Sequence, residues 1–237
     1  MNTNDIFVIK VGGSVLSPNE ENIFSFEEAN NFKILLNSLV ERGKRFILIT
    51  GGGYLARSYQ KLLKDNNYPI YDQHYVGTLS CILNAVMLRA VLGDLAEERV
   101  LALSDYERLE NIKFNKPILV AGVERPGPSS DKDSAVLAKH FNAKSVISMK
   151  NINGVYDSAP KKNPEAKHLD AVTWERYLNI IGDKVKHTPG DNLPVDPIAA
   201  NFSKENNINF IILDGRDRNA LRNAIEGSDF IGTTIHN

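Results

Sequence analysis

The sequence predicts an α/β protein, a three-layer αβα sandwich around a mostly parallel central sheet. Short runs dense in β-branched residues alternate with longer segments of helical period. Most of those runs are continuously apolar, as parallel strands covered on both faces are. Between them the helix boundaries carry explicit signals, and alternation of this kind places helices on both faces of one sheet.

The strand candidates are IFVIKV (6–11), RFILIT (45–50), PILVAG (117–122), SVISM (145–149), NFIILD (209–214) and FIGTTI (230–235). Ser25 followed three residues later by Glu28 predicts a capping box. The apolar set Phe32, Leu35, Leu36, Leu39 and Val40 keeps helical period after it, and Gly43 stands where a C-cap belongs. Asp196 with Pro197 forms an N-cap and first-turn pair opening another helix. Residues 150–171, rich in Asn, Gly, Pro and Lys, read as an excursion standing off the sheet. The expectation is a single domain over residues 1–237 with two lobes, about 1–144 and about 145–237.

Composition narrows the function. The chain has 237 residues, of which 42% are hydrophobic, ample for a sizeable core. Its 28 Lys plus Arg nearly balance 29 Asp plus Glu, so nothing draws it globally to nucleic acid or to an anionic membrane. No leader pattern is read at the amino terminus, and no segment is expected to reach the ~20 apolar residues of a membrane span. The expected location is cytoplasmic. Cys81 is the single cysteine, which rules out an internal disulfide, and its place beside Ala85 and Leu88 on an apolar helical face predicts a buried structural thiol. The histidines at 74, 140, 168, 187 and 236 are scattered, so no protein-built metal site is predicted.

Two glycine-rich turns each follow a strand, IKVGGS at 9–14 and ITGGGYLAR at 49–57. In an open α/β sheet, ligands bind beyond the carboxyl ends of the strands, where glycine lets backbone N–H groups approach an anion. Two such turns suggest two phosphate sites, although tight strand-to-helix packing explains such glycines as well. Neither turn is a P-loop, and neither fits a dinucleotide fingerprint. Arg57 lies about one helical turn beyond the second glycine cluster, where its planar fork can grip a bound anion or simply stand exposed. A third anion site is expected at RPGPSSDKDSAVLAKHF (125–141), where Ser129 and Ser130 precede an Ala/Leu helix and one of Asp131 and Asp133 is expected to be its N-cap. Lys10, at the end of the first strand, can separate a carboxylate there from phosphates. Ser80 and Asn84 form a polar stripe on an apolar helix, expected either to face a ligand or to make a subunit contact.

These segments, together with VGTLSCILNAVML, NINGVYDSAPKKNPEAK, GDNLPVDPIAA and a closing GTTI, resemble the amino acid kinase superfamily, and within it the uridylate (UMP) kinases. The resemblance runs nearly end to end. The GGG-x-x-x-R arrangement is its sharpest discriminator, because isopentenyl phosphate kinases of the superfamily typically have histidine where this chain has Arg57. It implies that Lys10, Arg57 and Asp131 are catalytic: Lys10 bridges the phosphates and Asp131 positions Lys10 or a magnesium ion. It implies that Gly12, Gly13 and Ser14 lie along ATP, that Gly53 sits close to the phosphoryl group in flight, and that Lys150, Tyr156, Pro160 and Lys161 border the rest of that nucleotide. For UMP it implies Gly52, Arg57, His74, Gly77, Gly127, Ser129 and Ser130. His74 stands where the family has an acid, Lys150 where it often has threonine, and Asn153 and Ala159 where it has aspartates.

The implied activity is transfer of the ATP γ-phosphoryl group to UMP, giving UDP in pyrimidine nucleotide biosynthesis, with ATP and Mg²⁺ and with the metal held mainly by nucleotide phosphates. The implied partners are UMP, ATP and further copies of the chain, as a hexamer. Two alternatives stay open: another small-molecule kinase of the superfamily, and a noncatalytic nucleotide-binding regulator.

Overall fold

Strand β1 (Ile6–Val11) is an interior strand of a seven-stranded sheet, third from one edge. The computed structural model describes residues 6–127, 129–158, 160, 163–182 and 193–237. On one side of β1 run β2 (Arg45–Thr50) and β3 (Ile118–Ala121), and on the other β4 (Ser145–Lys150) and β8 (Asn209–Asp214), all parallel. The sheet closes with β9 (Thr233–His236), antiparallel to β8, and β7 (Ala171–Thr173), parallel to β9. The order is β3-β2-β1-β4-β8-β9-β7.

Successive strand residues divide between two cores, as the pleat requires. Ile9, Val11, Leu48, Val120, Ile147 and Leu213 pack under α2 (Phe26–Val40), α4 (Ile70–Leu92) and α8 (Arg218–Glu226). Val8, Ile47, Ile49, Leu119, Val146 and Phe210 pack under α5 (Ser130–His140), α6 (Trp174–Ile181) and α7 (Pro197–Glu205). The three-layer sandwich with a mostly parallel sheet is therefore present. Trp174, fully buried, stands edge-on to Phe210 and donates from Nε1 to the Ile208 carbonyl at 3.1 Å, which satisfies the one polar atom it brings into the core.

Local signals are honoured with instructive differences. Ser25 caps α2 by accepting from Glu28 N–H at 3.3 Å, but the reciprocal half of the capping box is replaced: the Glu28 carboxylate pairs with Arg218 and so ties α2 to α8. α2 ends at Val40, and Gly43, at φ 82°, makes the turn two residues past its C-cap. Asp196 caps α7 as its sequence indicates, accepting from Ile198 and Ala199 N–H at 2.9 and 3.0 Å. The last strand starts at Thr233 rather than Phe230, because Phe230 instead packs against the α8-side core. Between β4 and β7 the described residues do leave the sheet, pairing in a separate two-stranded antiparallel ribbon of β5 (Val155–Tyr156) and β6 (His168–Leu169), while Lys150 and Ala171 themselves belong to the main sheet. The edge strand β7, only three residues long, carries too little pattern to be seen in the sequence.

Helix α4 corrects the expectation about membrane-length segments. With the turn after it, this segment spans residues 70–95, and an 18-residue stretch within it reaches a mean hydropathy of 1.7, enough by length and composition for a membrane-crossing helix. In the fold this helix packs on β2, β3, α2 and α3 (Gly53–Asp65), and its apolar residues serve two sides. Ala85, Leu88 and Leu92 are buried against the sheet, whereas Tyr71, Tyr75, Leu79, Leu83 and Val86 form an exposed apolar stripe.

Candidate functional site

The two glycine turns pack directly against one another. β1 leads into a single helical turn, α1 (Gly13–Leu16), and β2 leads into α3. Gly51 N–H donates to the Val11 carbonyl at 3.0 Å and Tyr54 N–H to the Ser17 carbonyl at 2.7 Å. A Cβ on Gly13 would fall 2.1 Å from the Gly53 nitrogen, and Gly53 itself adopts φ 64°, a conformation that favours glycine. These glycines thus satisfy both readings of the sequence: they let two turns touch, and the touching turns present their main chain to one cavity.

Asn84 holds this arrangement from behind. Its amide donates to the carbonyls of Gly51 at 2.8 Å and Gly52 at 3.2 Å, while the Ser80 hydroxyl donates to Val76 of its own helix. Both side chains are buried, so the polar stripe faces neither a ligand nor another subunit. It anchors the glycine turn.

The cavity has a volume of about 270 Å³. Gly12, Gly13 and Ser14 form one wall with Lys10 beneath them; Gly52, Gly53 and Arg57 form the next. His74 and Gly77 enter from α4, Gly127, Ser129, Ser130 and Asp131 from the head of α5, and Lys150 from the tip of β4. Lys10 and Arg57 accordingly share one cleft. Of the residues that the resemblance implied, Tyr156 and Pro160 are not in the cavity lining: the Tyr156 hydroxyl donates to Asn153 on the off-sheet hairpin, and Pro160 is exposed in the same excursion. Lys161, Ala159 and His187 lie outside the described residues, as do Pro128 and the 190–192 portion of the GDNLPVDPIAA segment.

Further lining residues were not singled out by sequence. Gln60 follows Arg57 by three positions, and Thr78 and Cys81 continue the face begun by His74 and Gly77. Helical periodicity drawn from Arg57 and from His74 could have found all three. Cys81 is therefore a cavity-wall residue as well as a packing one, with its Sγ 3.5 Å from where a Gly52 Cβ would be. Burial pushes its thiol up to about 12, far from a nucleophilic thiolate at neutral pH.

At the head of α5 the N-cap is Ser129, not Asp131 or Asp133: its hydroxyl oxygen accepts from Asp131 N–H at 3.1 Å. The same hydroxyl donates to Asp196, so the heads of α5 and α7 are joined beside the cavity. Asp131 is free of capping duty and lies between two ammonium groups, Lys10 Nζ at 2.5 Å and Lys150 Nζ at 3.1 Å. Burial alone would raise its carboxyl, but the Lys10 and Lys150 charges outweigh that and bring it down to about 2. Burial brings Lys150 down to about 8, with Asp131 opposing the shift and Lys10 adding to it. Partial burial also lowers Arg57, which as a guanidinium stays charged.

Among the described residues no group of three or more His, Cys, Asp or Glu side chains is placed to hold a metal ion. With both Asp131 oxygens turned to lysines, the donor set fits a divalent cation carried in on phosphate oxygens, the usual habit of Mg²⁺. Chemically, the cleft offers two cations above a carboxylate, a guanidinium facing them and three main-chain turns between. It is equipped to neutralise polyanions.

Comparison with known proteins agrees with this chemistry. The model of the amino acid kinase family matches residues 5–214. The uridylate kinase of Thermococcus sibiricus is 32% identical over 220 residues, 93% of this chain and 95% of that one. That of Methanocorpusculum labreanum is 29% identical over 230 residues, 97% of this chain and 95% of the relative. Among solved structures, UMP kinase from Ureaplasma parvum superposes with a TM-score of 0.81 at 22% identity, covering 99% of both chains. Uridylate kinase from Archaeoglobus fulgidus gives 0.78 at 26% identity, covering 98% of this chain and 99% of its own.

Proposed function

The chain belongs to the amino acid kinase family, and from that premise we propose that it transfers the γ-phosphoryl group of ATP to UMP, giving UDP and ADP. The observation that carries this reading is the shared cleft: Lys10 and Arg57 line one cavity together with two touching glycine turns and the head of α5. Relatives about 30% identical over 93% of this chain are uridylate kinases, and Arg57 is the residue by which the sequence resemblance set the chain apart from isopentenyl phosphate kinases.

In this reading a lone pair on a UMP phosphate oxygen forms the new bond to the γ-phosphorus, and the bond from that phosphorus to its bridging oxygen breaks, leaving the electron pair on the β-phosphate of ADP. The attacking oxygen is already ionised near neutral pH, so no general base is required. What remains is to bring two polyanions together, and preformed cations and amides in a partly dry cleft do this better than water does. Arg57 grips the UMP phosphate, with Gly52, Ser129 and Ser130 around it and His74, Gly77 and Gly127 toward the nucleoside. Gly12, Gly13 and Ser14 follow the ATP phosphates, Gly53 lies beside the transferred group, and Asp131 steers Lys10. The adenosine extends out of the cavity toward the hairpin that carries Tyr156 and Pro160. Mg²⁺ carried in on the nucleotide phosphates would add charge neutralisation to that supplied by Lys10 and Arg57.

The exposed stripe Tyr71, Tyr75, Leu79, Leu83 and Val86 on α4 supports self-association, with a hexamer as the form the family suggests. A cytoplasmic enzyme of pyrimidine nucleotide synthesis fits these substrates, and the lobes 1–144 and 145–237 then serve acceptor and donor. The reading is tested by incubating the protein with Mg-ATP and, in parallel, UMP, CMP, isopentenyl phosphate and acetylglutamate. UDP from UMP, with the others at least tenfold slower, is the expected result. Turnover of another acceptor alone would assign a different kinase, and nucleotide-induced heat-stability shifts with no ADP release would assign a regulator.

A further inference from the structure

Lys150 is a mostly buried ammonium in the cleft that has to share its one carboxylate, Asp131, with Lys10. On the parallel ladder Lys10 pairs with Ser148, so Lys150 is two residues nearer the strand tips on the same face of the sheet. Neighbouring turns pin its backbone: Gly12 N–H donates to the Met149 carbonyl at 2.8 Å, and Gly215 N–H to the Lys150 carbonyl at 2.6 Å. Its ammonium, whose side chain is 14% exposed, reaches Asp131 Oδ2 and the Leu193 carbonyl, both at 3.1 Å. Asp131 already faces Lys10 through its other oxygen. One carboxylate thus serves two ammoniums, and the remaining acceptor of Lys150 is neutral. A mostly buried surplus cation is costly unless an anion completes it.

Among the described residues, the other charged groups around it do not supply that anion. Asp196, at the head of α7, is spent on two helix amides and Ser129. Asp214, across the ladder on β8, is held by the exposed Arg216. Arg57, across the cavity, adds to the positive side.

We propose that Lys150 is a second phosphate-gripping catalytic residue: when the donor nucleotide enters, its ammonium shifts from Asp131 to a non-bridging oxygen of the γ-phosphoryl group, while Lys10 keeps the opposite carboxylate oxygen. Asp131 then acts as a spacer between two cations that flank the transferred group, and the phosphates supply the missing negative charge. This deepens the proposed kinase reaction and rests on it. Because Lys150 sits near 8 before substrate binds, the free protein loses this cation in alkaline solution. The resulting decline in kcat/KM for ATP above about pH 8 is a signature that a merely structural lysine lacks.

The test compares wild type with Lys150→Met and Lys150→Arg for kcat, both KM values, the pH profile and thermal melting. The expected result is a loss of about 100-fold in kcat for the Met variant, with a melting point no lower than wild type because the surplus buried charge is gone. The Arg variant recovers at least tenfold over Met, and its alkaline limb moves up because a guanidinium does not titrate there. A Met variant within threefold of wild type in kcat, or a limb unchanged in the Arg variant, overturns the proposal. If wild type makes no UDP, it is the kinase reading that fails. Lys150 is then judged by Mg-ATP titration alone: a tenfold weaker affinity in the Met variant sustains the grip on phosphate, and unchanged affinity ends it.

Discussion

Asp133 shows how much one residue's surroundings decide. It is fully buried on α5, accepts from Glu124 N–H at 3.0 Å through one oxygen, and its other oxygen has no hydrogen-bond partner among the described residues. Burial pushes its carboxyl up to about 7, against the pull of the Glu124 amide, with the Glu124 and Asp196 charges adding to the rise and Lys132 opposing it. A carboxyl raised on folding contributes stability that is complete below its unfolded value, near 4, and is lost as pH climbs through 7. Each unit of such a shift corresponds to about 1.4 kcal/mol. Asp133→Asn, which cannot ionise, should therefore gain melting temperature relative to wild type as pH rises from 5 to 8. Melts at three pH values check this, and a constant or shrinking difference would contradict it. Two positions away, Asp131 goes the opposite way, down to about 2, because lysines face it. The sequence showed both acids beside a helix start but could not separate them, since the N-cap role went to Ser129 and the decisive neighbours come from β1 and β4.

At the scale of elements, the glycine turns depend on a helix far along the chain. Asn84 on α4 carries both side-chain hydrogen bonds to the Gly51 and Gly52 carbonyls, while the Ser80 hydroxyl is turned to its own helix. Asn84→Ala should cost about 1–2 kcal/mol in stability and loosen the turn where the UMP phosphate is proposed to sit. Its expected kinetic effect is a tenfold or larger fall in kcat/KM for UMP, with Asn84→Asp, which keeps the size but loses the donor, behaving alike. Unchanged kinetics in both variants would remove the anchor from the account. Strands such as β1, β2 and β8 were legible to the residue, because a continuous apolar run bounded by turn residues has few other solutions. The anchor was not. A polar pair on an apolar helix announces that something is recognised, but its target, a carbonyl pair more than thirty residues earlier in the chain, exists only once α4 packs behind β2.

At the scale of the whole molecule, the sheet order puts the tips of β1, β2 and β4 side by side, so glycine turns, Lys10 and Lys150 converge without any one segment carrying the site. The family resemblance made that convergence readable, while the residues it implied for adenine did not join it, because the hairpin bearing Tyr156 stands off the sheet. The same scale governs assembly: five exposed apolar side chains follow one face of α4, from Tyr71 to Val86. Sedimentation should give a multiple of the chain mass, and Leu79→Glu with Leu83→Glu should reduce it, whereas a wild-type monomer at micromolar concentration would dispose of the self-association reading. The central claim is that one cleft gathers two nucleotides end to end across Lys10 and Arg57. Its most direct measurement is calorimetric titration with uridine and adenosine joined through five phosphates. One such molecule should bind per chain, at least tenfold more tightly than ATP or UMP alone and in competition with both. Simultaneous binding of the joined molecule and UMP, or affinity no better than that of ATP, would contradict it.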